Sequence, residues 1–319
     1  MDDPLGVRFA AARVAEQARH VRIDEQALQT VCAGFEQQLR VPAWNRDYHF
    51  GDDTERTANY ILLLDALNFS FWGEPRWSVE YHGAQLNGYW ALAAALKHAI
   101  EGGLDLTNAR VLADMDEGTL AGVLRGRGVI PLLHERWAHA REVGRVLLDK
   151  FEGQFARLIE HSSFDAADVS QRVIEHFSSF RDAPVYHGLS VPIYKRAQIV
   201  AADLYGAFGG ERWGALEGIE RLTCFADYKL PQILRRWGVL CYSDSLAQRV
   251  DTRIEIPAGS VEEIEIRALT VAAIERLHAA LSIRGICLSS VQIDWALWDA
   301  AQGQPPDGKP YHHTRTIYY

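Results

Sequence analysis

The sequence predicts a mainly α fold, a single large helical domain covering residues 1–319 with one small β element. Two observations carry this expectation. Apolar residues recur at helical spacing through most of the chain, and helix-start pairs such as Ser260 with Glu263 and Ser289 with Gln292 precede the later periodic runs. Alternation of period two is confined to short pieces, and no repeat, low-complexity tract or Pro/Ser-rich linker divides the chain.

Taken in order, Gly6 to His20 carries Val7, Ala11, Val14, Ala15 and Ala18 on one helical face. Asp24 starts a second helix, with Leu28, Val31, Cys32, Phe35 and Leu39 along one side and an end before Pro42. Trp44 to Phe50 reads as a loop. Asp52 with Glu55 has capping-box spacing, and the helix that follows buries Tyr60, Ile61, Leu64 and Leu67 and delivers Asn68-Phe69-Ser70-Phe71-Trp72 at its end. Trp77 to Tyr81 alternates like a strand, with a turn at Gly83. Gly88 to Ile100 is helical and closes at Gly102-Gly103; Asp116 to Leu124 forms a short helix. Pro131 opens a long helix whose apolar period runs through Leu158. Asp165 and Asp168 cap the next, which contains Val169, Val173, Ile174 and Phe177.

Beyond the connection 180–188, a helix from Ile193 to Phe208 places Lys195, Gln198 and Ala202 on one stripe, with Asp203 beside it. An ammonium, an amide and a carboxylate on an otherwise apolar helix are costly to bury alone. Either they bind a polar ligand together or they satisfy one another. Pro231 opens a helix through Ile233, Leu234 and Trp237, Arg253 to Ile256 suggests a short strand, and Ser260 and Ser289 start the last two helices. The final helix closes near Gly303, and the aromatic tail 312–319 is expected to dock.

Composition excludes several classes. The 319 residues are 48% hydrophobic and 24% charged, the balance of a globular protein, and no apolar run is long enough to span a membrane. The start Met1-Asp2-Asp3-Pro4 does not read as a signal peptide. Cys32, Cys224, Cys241 and Cys287 form no C-x-x-C pair, which argues against a zinc site or a disulfide framework and for a reducing cytoplasm. A net charge of -9 lacks the basic footprint of a duplex nucleic-acid binder. Phosphate-binding, dinucleotide-binding, nucleophile-elbow and H-E-x-x-H patterns are absent from the sequence. The remaining chemistry is that of carboxylates and aromatics, without nucleotide cofactor or metal.

Asp227-Tyr228-Lys229 is the most suggestive stretch. It sets a carboxylate, a phenol and an ammonium between Phe225 and Leu230, just before a helix. Asp227 is either an electrostatic catalyst or base of restricted hydration, or simply a helix cap paired with Lys229. Tyr48-His49-Phe50 and the 68–72 stretch pair aromatics with polar groups, which suits a flat heterocycle as well as a core containing phenols and indoles.

Five segments together, in order along nearly the whole chain, resemble the queuosine salvage protein family. They are Leu67 to Trp72; Lys195-Arg196-Ala197-Gln198 with Ala202-Asp203-Leu204; Leu222 to Gln232; Glu265-Ile266-Arg267-Ala268; and the terminal Arg315 to Tyr319. The resemblance implies a helical fold related to the helix-hairpin-helix DNA glycosylases and hydrolysis of the N-glycosidic bond of queuosine 5′-monophosphate, releasing queuine. It implies Asp227 as the catalytic carboxylate against the ribosyl cation. His49, Phe50, Asn68, Phe69, Ser70, Phe71, Trp72 and Tyr228 become the substrate wall, and Asp203 the partner of queuine's ammonium or diol. Lys195, Lys229 and Arg196 become the candidate phosphate cations. A cytoplasmic monomer acting on a small molecule, without cofactor, metal, membrane or stable nucleic-acid partner, follows from the same reading. The alternatives are a base-excision glycosylase of related fold and a non-catalytic nucleobase-binding protein.

Overall fold

A computed structural model describes residues 2–38, 40–302 and 308–319, with no side-chain detail at 36–38. Leu39 and Gly303, expected on the second helix and at the end of the last, lie outside the described residues. Fourteen α-helices and three two-stranded antiparallel ladders are present among the described residues. The fold is therefore mainly α, and none of these helices is long and apolar enough to cross a membrane.

Two helices are buried nearly all round and form the centre. In α3 (Glu55–Ala66) every residue from 57 to 66 is buried, and in α10 (Lys195–Ala207) eleven residues are. A helix without a polar face must be enclosed by others. The outer helices α1 (Val7–Gln17), α2 (Glu25–Gln38) and α9 (Ala166–His176) keep one apolar face, as their periodicity requires. The long α13 (Val261–Ile283) packs against α1 and α2, while α9 packs on α10.

The capping chemistry follows the sequence with two shifts: at α9 Asp165 alone is the cap, accepting from the Asp168 amide, and the other is at α3. Ser260 Oγ accepts from the Glu263 amide, and Ser289 with Gln292 forms a reciprocal box at the start of α14 (Ser290–Gln302). At α3 the cap is Thr54, whose hydroxyl accepts from the Arg56 amide; Asp52 instead ties Thr54 and Thr57 together. The expected helix from Pro131 to Leu158 is broken into α7 (Leu133–Lys150) and α8 (Phe155–His161). Glu152 and Gly153 between them take φ of 54° and 81°, in the left-handed region where a right-handed helix cannot continue.

The hairpin of β2 (Ser78–Tyr81) with β3 (Ala84–Asn87) is where alternation places it. Residues 253–256 form no strand: the Ile256 amide donates to the His313 carbonyl, so this segment holds the tail. The ladder of β1 (Val21–Ile23) with β6 (Leu240–Tyr242), the hairpin of β4 (Val185–Tyr186) with β5 (Leu189–Ser190), and the short α5 (Ala109–Asp114) and α12 (Asp244–Asp251) are too brief to announce themselves by period.

The crossing of α7 over α5 depends on Gly144. A Cβ there would stand 2.3 Å from the Ala113 nitrogen and 2.5 Å from the Ala109 carbonyl oxygen. Both are backbone atoms, which cannot rotate aside. Gly144→Ala should therefore destabilise the protein by about 1–3 kcal/mol despite alanine's better helix propensity of about 1 kcal/mol. Denaturant midpoints test this, and an unchanged or higher midpoint would contradict the close crossing.

Candidate active site

Residues 223–227 run between secondary structures, so their backbone groups need partners from elsewhere. Buried side chains supply them. Gln198 on α10 accepts from the Thr223 amide at 2.8 Å, Asp294 on α14 accepts from the Phe225 amide at 2.7 Å, and Arg267 on α13 donates to the Ala226 carbonyl at 3.1 Å. Arg267 is itself fixed by Asp182 and Glu263. Asp227 then caps α11 (Lys229–Arg236), its Oδ1 accepting from the amides of Lys229 at 2.7 Å and Leu230 at 3.0 Å. The cap and the candidate catalyst are thus one residue. Oδ1 anchors the carboxylate, and Oδ2 is not required by the cap.

Asp227 lines a cavity of about 180 Å³. Of the residues expected in a site, His49, Asn68, Phe71, Lys195, Asp203, Tyr228 and Lys229 line it too. Five others stand outside. Phe50 packs edge-on to Tyr60 under Arg56, in the wall of a second recess. Phe69 lies beneath the guanidinium groups of Arg136 and Arg196. Ser70 bonds the Thr316 carbonyl at 2.8 Å through its hydroxyl and the Tyr319 carbonyl at 2.7 Å through its amide. Trp72 stacks on His313 and donates to the Thr314 carbonyl. Arg196 is buried against the carbonyls of Asp65, Ala66 and Ser179 and does not line the cavity. These residues hold the end of α3 and the tail in place, which is how Asn68 and Phe71 reach the cavity.

Several lining residues have no signal in local sequence. Trp44, Tyr89, Trp90, Trp295 and Trp298 build an aromatic wall, with Trp44 stacked on His49 at 4.1 Å and Trp298 edge-on to Tyr89 and Trp90. At another part of the lining, Lys229 Nζ lies 5.5 Å above the Tyr311 ring, and Arg76 reaches the Tyr311 hydroxyl at 3.3 Å. Arg76 and Lys229 thus share one aromatic contact, although 153 residues separate them in the chain. Only the fold brings them together.

The electrostatics centre on Lys195. Its ammonium is buried, which pushes its pKa down, while Asp227, Asp65 and Asp294 pull the other way. Burial raises all four acids of the cluster. Asp65 and Asp294 lie well above the usual carboxylate range and Asp203 at about 7. Asn68 and the Lys195 and Arg196 cations oppose the effect of burial at Asp65 without cancelling it. Asp227 is also raised, but Lys195, two backbone amides and Lys229 oppose the effect of burial. It is the acid best equipped to stay charged. A hydrogen-bonded row, from the Asn45 carbonyl through His49 and Tyr89, ends on Asp203. Among the described residues no histidine, cysteine or acidic side chains group as a metal site.

The cavity combines an aromatic wall, a fixed carboxylate and two cations beside one phenol, so stacking faces and charge meet in one place. Residues 48–319 match the family model described as queuosine salvage protein. A protein of Sphaerobacter thermophilus named queuosine 5'-phosphate N-glycosylase/hydrolase is 49% identical over 99% of this chain and 98% of its own. Proteins of the same name from Dictyostelium discoideum and Mus musculus are 36% and 34% identical, over 98% and 100% of both chains. The chain belongs to the queuosine salvage protein family.

The raised Asp203 carboxyl makes stability depend on pH. Below about pH 4 the group is protonated folded and unfolded alike, so it carries no penalty. As pH rises towards 7 the unfolded group ionises first, and stability is lost until the folded group ionises too. Asp203→Asn removes this dependence. Its melting temperature should gain on that of the parent between pH 4 and 7 and the gap should then level off. A pH-independent gap would show that Asp203 ionises normally in the fold.

Proposed function

We infer that this chain hydrolyses the N-glycosidic bond of queuosine 5′-phosphate and releases the base queuine. Membership of the family and the shared name of its full-length relatives support the reading. The structural observation that carries it is Asp227, a buried carboxylate anchored through one oxygen and facing an aromatic cavity. Breaking the bond between C1′ and the base leaves positive charge on the ribosyl ring. A pre-placed carboxylate stabilises that charge at no reorganisation cost in a site of low dielectric. The same group draws a proton from the water that adds at C1′.

The base stacks against Trp44, Tyr89, Trp90 and Trp298, with Asn68 and Phe71 completing the wall. The 5′-phosphate meets Lys229 and Arg76, which lie where a dianion would neutralise two neighbouring cations. Lys195 is left to balance Asp227. Residues 1–319 act as one domain, related in fold to the helix-hairpin-helix glycosylases, and the protein works as a cytoplasmic monomer on a small molecule without a stable nucleic-acid partner.

Purified protein incubated with queuosine 5′-phosphate should release free queuine, measured by chromatography. Asp227→Asn preserves shape while removing the charge that faces the cation. Turnover should fall about 100-fold or more, with queuine still bound. Because Asp227 also caps α11, melting curves must accompany the assay. A folded Asp227→Asn protein with near-parental turnover would contradict the assignment.

A further inference from the structure

The row of hydrogen bonds ending on Asp203 has a direction that geometry dictates. His49 Nδ1 stands 2.5 Å from the Asn45 carbonyl oxygen. A carbonyl can only accept, so Nδ1 carries a proton. The imidazole is 3% exposed, and among its neighbours burial and the Lys97 ammonium both oppose a second proton. It is therefore neutral, with its pKa lowered to about 4, and its Nε2 can only accept. Tyr89 Oη lies 2.8 Å from that Nε2 and 3.3 Å from Asp203 Oδ2. A phenol has one proton, and His49 takes it. With His49 neutral, the 3.3 Å contact, in which Tyr89 would otherwise donate to Asp203 Oδ2, is left for Asp203 to donate.

We propose that Asp203 is the proton donor to the departing base, kept in its protonated form and aimed by the Asn45–His49–Tyr89 row. The proposal rests on the N-glycosidase reading and adds to it a second carboxyl with the opposite proton state. Asp203 lines the same cavity as Asp227. Burial favours the neutral form, with Asp65 and Tyr60 on α3 and Asp294 on α14 close by, while a hydrogen bond from Tyr89 on α4 (Gly88–Glu101) and the Lys195 ammonium favour the charged one. With its carboxyl at about 7, Asp203 still holds its proton below neutrality and releases it readily there. A neutral carboxyl is a poor partner for queuine's ammonium, so the expected ion pair at Asp203 gives way to this role.

The step balances without another reactant. The bond from C1′ to the ring nitrogen breaks and its electron pair leaves with the base. The Asp203 O–H proton passes to the departing heterocycle, water adds its oxygen to C1′, and Asp227 takes the proton that water releases. That proton returns through solvent to Asp203. His49 and Tyr89 touch no reacting atom; they are positioning residues.

Two measurements test the proposal. The first compares parent and Asp203→Asn on queuosine 5′-phosphate and on the 5′-phosphate of p-nitrophenyl riboside, whose leaving group departs as a stable anion. Loss on the nucleotide should reach about 100-fold, against less than about 5-fold on the nitrophenyl compound. Equal losses on both would overturn the proposal. The second needs only the nucleotide: the pH profile of kcat/KM for the parent and Tyr89→Phe. If Asp203 donates to Tyr89, removing the acceptor destabilises the protonated carboxyl and moves the basic limb to lower pH. Movement to higher pH would mean Tyr89 donates to a carboxylate, and the proposal fails. A parent protein that releases no queuine would instead overturn the glycosidase reading, and this step with it.

Discussion

One buried ammonium, Lys195, acts on the carboxyls of Asp203, Asp227 and Asp294, which line the cavity, and of Asp65 behind them. Lys229 acts on Asp227 and Arg196 on Asp65, but burial still raises all four acids. Most of these acids must stay protonated. Which one keeps its charge is decided by hydrogen bonds. Asp227 has two backbone amides and Lys229 as well as Lys195, Asp294 has one amide, and Asp65 has no backbone amide, only the Asn68 side chain. The site is in effect an allocation of protons among acids, with Asp227 the one best held in its charged form.

The scaffold exists to keep these groups apart by fixed amounts. Buried arginines do most of that work on irregular backbone. Arg136 donates to the carbonyls of Leu67, Phe69 and Ser70, Arg196 to those at the end of α3, and Arg267 to that of Ala226. Each guanidinium replaces the water those carbonyls would otherwise need. Each is stacked on or over an aromatic ring as well: Phe69 for the first two and Tyr319 for the third. Tyr319 ends the chain and lines the cavity, so the docked tail is part of the wall.

The legibility of this arrangement in the sequence was uneven. Helices announced by period and capping residues appeared where expected, as at Ser260 and Ser289. A break such as Glu152-Gly153 escaped, because apolar period continues across a change of chain direction. Asp227 was visible because carboxylate, phenol and ammonium crowd three consecutive positions. Its two readings, cap and catalyst, proved compatible in geometry, since a carboxylate has two oxygens. Phe69, Ser70 and Trp72 sit in a conspicuous motif yet stand behind the wall, while Arg76 and Tyr311, which meet at its edge, are 235 positions apart. Short motifs show which residues act together locally; convergence from distant segments is a property of packing.

The proton allocation can be measured directly. Carbon-13 NMR of aspartate side-chain carboxyls, assigned by single Asp→Asn variants, would follow each acid from pH 4 to 8. The account predicts that Asp227 reaches its charged form at the lowest pH of the four, that Asp203 titrates near neutrality, and that Asp65 and Asp294 keep their protons longer. A protonated Asp227 at neutral pH alongside an ionised Asp65 or Asp294 would contradict it.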